Sequence, residues 1–165
     1  MSIQKMKHRR QRTILSFAYL LFAFLLSGCG QDASSAEEKI KEDLAKLEQA
    51  AEERDLGPLK KAILDEYSDN EGFDKKSIIQ FIQLRFIRQQ SIHLLTRIKS
   101  VEVLAADNAI ADVLVAMAGR PLDDVGTLMG MSADLFRFEV ELKEQNDNWK
   151  VAKANWRRAT PDEFL

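Results

Sequence analysis

The apolar residues of this chain keep one period up to about residue 90 and a different one after it. In the first stretch Ile40, Leu44, Leu47 and Ala51 fall at steps of three and four, the spacing of a single helical stripe. Glu37 with Lys41 and Glu42 with Lys46 are spaced as i,i+4 pairs on the wet side. Ser34 with Glu37, and Ser35 with Glu38, fit a helix-start capping box. Asp55-Leu56-Gly57-Pro58 breaks the stripe, and Pro58 suits the first turn of a shorter second helix that offers Leu59, Ile63 and Leu64 for packing. Ser68–Asp74 then reads as a turn-rich loop, with Asp74 capping a third helix over Lys75–Gln90. Ile78, Ile79, Phe81, Ile82 and Phe86 give that helix a broad apolar side.

From Ile92 onward the period is two. Ile92–Leu104 alternates, with a slip of phase between Ile98 and Val101 that predicts a bulge. Ala109–Ala118 is apolar on both faces except at Asp112, as in a strand covered on both sides. Gly119–Met131 is a long connection. Leu135–Lys143 alternates cleanly, with Phe136, Phe138, Val140 and Leu142 on one face and Arg137, Glu139, Glu141 and Lys143 on the other. Asn146-Asp147-Asn148 is a hairpin-type turn before a last strand over Trp149–Trp156. Three helices followed by four antiparallel strands predict an α+β fold, helices on one face of a sheet.

This order, the break AAEERDLGPLKKAILDEYSD and the closing hairpin NDNWKVAKANW resemble the nuclear transport factor 2-like superfamily, also called SnoaL-like, over about residues 36–158. The resemblance implies a cystatin-like cone. Three N-terminal helices would pack on a curved, mainly antiparallel sheet of four or more strands. It also implies a mouth that holds a small apolar ligand or an active site, and pairing of two copies through the sheet. The superfamily includes ketosteroid isomerase-type enzymes, cyclases, dehydratases and non-catalytic binding or assembly domains, so the fold does not give the function. Isomerase chemistry needs a carboxylate base beside an oxyanion hole built from a tyrosine and a protonated aspartate. Tyr67 is the one tyrosine of residues 29–165 and does not align with the catalytic one. No catalytic residue is carried over.

Each candidate residue has a sharp reading and a bland one. Asp112, in its apolar strand, is either a general base with a raised pKa or an outward acid paired with a base such as Arg97. His93 is either a proton-transfer group or a partly exposed strand residue. Tyr67, Phe73, Phe81, Phe136, Phe138 and Trp156 either line a cavity or fill the core of a small domain. Arg157-Arg158 either grip a partner's acid or are solvated after the last strand. Ser68–Asp74 superficially resembles a calcium loop, but Tyr67 and Ile78 would occupy its first and last ligand positions, and neither can serve.

The first residues give an address. Lys5, Lys7, Arg9, Arg10 and Arg12 precede an uncharged apolar run, Thr13–Leu26, of 14 residues. A membrane-spanning helix needs about 20, and a basic start with a short apolar run defines a secretory signal. Leu26-Ser27-Gly28-Cys29 resembles the lipobox of bacterial lipoproteins, which implies a lipid on the Cys29 sulfur and cleavage before it. The expected organisation is a signal at 1–28, a lipidated Cys29 with its tether at 29–35, and one domain at 36–165. Gly30 is not Asp, which by the same resemblance favours the periplasmic face of the outer membrane over the inner.

Removing the signal takes five basic residues and no acidic one, leaving the body at a net charge of −7. That balance argues against nucleic acid and against electrostatic adsorption to anionic lipid. Cys29 is the only cysteine, and His93 is the only histidine after the signal. A zinc site, with three or four such ligands, is not expected, and no cofactor is implied. The leading expectation is a non-enzymatic lipoprotein domain that binds or assembles with a periplasmic protein. The alternative is a small-molecule binder or a cyclase- or isomerase-like enzyme using the cone. Cys29→Ser should abolish incorporation of radiolabelled palmitate and leave the precursor uncut; equal labelling of both proteins would refute the anchor.

Overall fold

The computed structural model describes residues 31–122, 126 and 133–165. The expected signal, Cys29 and most of the Gly119–Met131 connection lie outside these. Helix α1, Gln31–Glu52, begins ahead of both expected caps, Ser34 and Ser35. Its apolar stripe is fully buried at Ile40, and the Lys41–Glu37 pair forms at 2.6 Å. Lys46 pairs with Asp43 at 2.7 Å rather than with Glu42. The other oxygen of Asp43 accepts from the Trp149 backbone N–H at 3.0 Å, which ties α1 to the last strand. Among the described residues no helix is long and apolar enough to cross a membrane.

Helix α2, Leu56–Ala62, is capped by Asp55, which accepts from the Gly57 N–H at 2.8 Å. It ends sooner than the sequence suggests. Ile63–Asp69 is a strand, β1, and not the rest of a helix followed by a loop. Ile63, Leu64 and Tyr67 have helical spacing, but the segment pairs in parallel, at Ile63, Ser68 and Asp69, with a strand far along the chain. The next helix, α3, spans Lys75–Arg88 and starts at Asp74, as expected. Asp74 accepts from the Ser77 N–H while the Ser77 hydroxyl takes the Asp74 N–H, a reciprocal capping box.

The strands β2 (His93–Ala105), β3 (Asn108–Ala118), β4 (Asp134–Glu144) and β5 (Trp149–Arg158) form an antiparallel run. With β1 they make a curved five-stranded mixed sheet in the order β1-β5-β4-β3-β2. The slip expected in β2 is present as a shift of register between Ile98 and Ser100. The β4–β5 turn places Asn146 at φ 56° and Asp147 at φ 59°. A type I′ hairpin needs positive φ at both central residues. Gln145 and Asn148 close it by exchanging backbone hydrogen bonds of 2.8 and 3.3 Å.

Strand β3 is buried on both faces. Ala109, Ala111 and Val113 pack with Ile40, Val140, Leu142 and Trp149 on the concave side. Leu114, Ala116 and Ala118 pack with Leu122 and Phe164 on the other. Phe164 ends a short 3-10 turn, Pro161–Phe164, and is 0 % exposed. A charged clasp holds this turn down. Glu163 accepts from Arg157 at 2.6 and 2.9 Å and from Arg137 at 3.2 Å, and Arg137 also donates to Asp112 at 2.9 Å. The Arg157 contact, then the Thr160 N–H and Arg137, hold the Glu163 carboxyl down to about 2. Arg157 and Arg158 therefore lie within β5 and in ion pairs, Arg158 with Asp134 at 3.1 Å, rather than free after the strand. Phe164→Ala should cost about 3–5 kcal/mol in urea melts, as for other fully buried aromatics; a cost within about 0.5 kcal/mol, typical of surface changes, would show that the outer face does not need its cover.

Candidate ligand cavity

The concave face of the sheet does not close onto the helices. A cavity of about 550 Å³ remains between them. Helix α1 supplies Leu44, Leu47, Glu48 and Ala51, while α3 supplies Phe81, Ile82, Arg85 and Phe86. The sheet supplies Tyr67 from β1, Thr96 from β2, Val113, Val115 and Met117 from β3, and an aromatic floor. That floor is Phe136, Phe138 and Trp156, with ring centroids 5.7 to 6.3 Å apart.

Five of the sequence candidates meet here: Tyr67, Phe81, Phe136, Phe138 and Trp156 all line the cavity. Phe73 does not. It stacks on Phe81 at 5.6 Å and supports it from behind. His93 and Asp112 are not among the lining residues either, and strand parity is the reason. Leu94 and Thr96 line the cavity from β2, and Val113 and Val115 from β3, so their odd and even neighbours face away. Asp112 sits under the clasp with Arg137, not with Arg97.

Several polar lining groups carry no motif. Glu48 lies one helical turn after Leu44, inside the apolar stripe, and an acid in that position was the available signal. Burial raises its pKa above the usual carboxylate value, against hydrogen bonds from Thr96 that lower it. Arg85 lies over the Phe81 ring at 5.4 Å and Arg158 over Phe136 at 5.6 Å. The Tyr67 hydroxyl donates to Asp69 at 3.2 Å, and the other Asp69 oxygen accepts from the Glu71 and Phe73 N–H groups. Tyr67 thus has its proton committed to a structural acid. Among the described residues the lining holds no histidine, no cysteine and no second carboxylate. No group of three or more His, Cys, Asp or Glu side chains among them is placed to hold a metal.

No family model and no curated protein matches the sequence. Solved structures do. A scytalone dehydratase candidate from Novosphingobium aromaticivorans superposes with a TM-score of 0.63 at 8% identity, over 76% of this chain and 85% of that one. A dehydratase candidate of the NTF2-like family from Streptomyces avermitilis superposes at 0.62 with 14% identity, over 77% and 98%. The chain has the nuclear transport factor 2-like fold. A ketosteroid isomerase-like protein from Erwinia carotovora atroseptica gives 0.55 at 12% identity, over 75% of this chain and 96% of that one. At such identities the likeness extends to the nuclear transport factor 2-like backbone and not to its chemistry.

Burial first, and the Asp69 charge second, hold the Tyr67 hydroxyl well above its ordinary value. In the unfolded chain it ionises near pH 10. A group raised on folding contributes stability that is complete below the unfolded pKa and is lost as pH rises beyond it. Urea midpoints should therefore fall above about pH 10, and Tyr67→Phe should remove part of that slope. Identical slopes would place the hydroxyl in water.

Proposed function

We propose that the mature chain is a lipid-anchored protein of the bacterial envelope whose cone binds a small, largely apolar molecule. The observation that carries this reading is the open cavity with its aromatic floor and a few polar groups, Glu48, Thr96, Arg85 and Arg158. Ligand pockets of this kind are mainly apolar with a few placed polar groups. A core packed solid by its Phe and Ile side chains would instead have favoured an assembly domain. The anchor is the lipid on Cys29, and the address is the periplasmic face, the outer membrane before the inner. The acidic body keeps nucleic acid off. Pairing of two copies would have to use the charged row Arg137, Glu139, Glu141 and Lys143, so any such interface is partly polar.

Turnover is the second reading, favoured by one observation. Glu48 is a cavity carboxyl with a raised pKa, the character a general base needs. Two facts weigh against it: Thr96 faces Glu48 and favours its charged form, and Tyr67, the other proton-transfer candidate of the described lining, already donates its proton to Asp69.

The fluorescent probe phenylnaphthylamine, added to the full chain in detergent below its micellar concentration, tests the binding reading. It should bind wild type and quench Trp156. Val115→Trp, which fills the cavity, should weaken binding by about ten-fold or more, equivalent to about 1.4 kcal/mol. Unchanged affinity in a variant that melts like wild type would refute the cavity as the site.

A further inference from the structure

The body carries a second concavity, on different chemistry. It is a groove of about 1170 Å³ formed by α1, α2, the start of α3 and the β4–β5 hairpin. Six lysines line it against three aspartates. On a chain with more acids than bases that is a local reversal of charge. All three aspartates are already engaged. Asp43 holds Lys46 and the Trp149 N–H, Asp65 holds Lys75 at 2.7 Å, and Asp74 caps α3. Among the described residues no carboxylate lies within ion-pair distance of Lys60, Lys61 or Lys76, which are all exposed.

The rest of the lining narrows the ligand. Gln80 and Gln83 project from α3, and Asn146 from the hairpin, where Gln145 already accepts from Lys150 at 2.8 Å and Asn148 donates to the Asn146 carbonyl at 2.6 Å. An amide offers a donor and an acceptor side by side, which suits neighbouring hydroxyls of a sugar. Pro58, Ala62 and Ile79 add apolar ground on which the C–H face of a sugar ring can rest. Lysines serve carboxylate or phosphate as mobile point charges. A bare polyanion would use only the lysines, and an acidic peptide brings no array of hydroxyls to the amides. We propose that this groove is a binding site for an acidic saccharide, one that carries carboxylate or phosphate groups on a hydroxyl-rich chain. It borders the apolar cavity at Leu47 but otherwise uses different residues.

The full chain in detergent is titrated calorimetrically with hexagalacturonate, with neutral maltohexaose and with a hexaglutamate peptide. Hexagalacturonate should bind most tightly and weaken as salt rises, because exposed charges are screened. The double variant Lys60→Glu with Lys61→Glu should lose about ten-fold or more of that affinity while melting like wild type. Gln80→Ala with Gln83→Ala should bring hexagalacturonate down towards hexaglutamate. Val115→Trp should leave saccharide binding intact, which separates this site from the apolar one. No binding of hexagalacturonate, or equal binding by the lysine double variant, would overturn the site. Hexaglutamate bound as tightly as hexagalacturonate, with no effect of the glutamine changes, would overturn the saccharide and leave charge alone.

Discussion

Successive side chains of a strand point to opposite faces, and in β3 both faces have work to do. Val113, Val115 and Met117 bound the cavity, while Leu114, Ala116 and Ala118 sit under the C-terminal turn. A shift of β3 by one residue would exchange the two sets. Asp112 would then enter the cone and lose the guanidinium of Arg137, which would keep only its contact to Glu163. The register of this one strand therefore fixes the position of the cavity, the seat of Phe164 and the separation of charge from the apolar interior. Asp112, which such a shift would turn into the apolar interior without its guanidinium partner, makes the alternative register costly.

The same economy operates at the edge of the sheet. Strand β2 has β3 on one side only. An open edge offers its amides to any passing strand. Helix α1 covers part of it: Glu52 accepts from the Leu94 N–H at 2.8 Å, and Glu48 lies beside Thr96. Glu48 is thus both an edge cover and a polar group of the cavity.

Much of the architecture was legible in the residues. The change of period near residue 90, the cap at Asp74, the slip in β2 and the Asn146–Asp147 turn are local features, written by spacing and by side chains that bond their own backbone. β1 was not legible, because Ile63, Leu64 and Tyr67 keep helical spacing and the strand exists through its pairing with β5. The aromatic part of the cavity could be named because period two sorted Phe136 and Phe138 onto one face. Arg85 and Arg158 could not, since each looks like an ordinary charge on an amphipathic element, whereas Glu48 carried a signal in its place inside the apolar stripe. Burial decides such a residue's role, and burial is a property of the partners it meets. His93 was singled out for its chemical character and Asp112 for its place in an apolar strand, and parity turned both away from the cavity.

The pairing of β1 with β5 has a consequence in time. β1 is the first strand of the sheet in the chain, yet β5, the last, is its only neighbour. Everything between Asp69 and Trp149 must be in place or looped out before that parallel ladder can close, and closing a long loop carries an entropic cost before any contact repays it. The antiparallel run β2–β5 pairs strands that follow one another in the chain, whereas β1 pairs across all of them. Tyr67 and the cavity wall it forms therefore depend on the pairing of greatest sequence separation in the sheet, and a chain in which that pairing is missing exposes an unpaired strand edge to its neighbours.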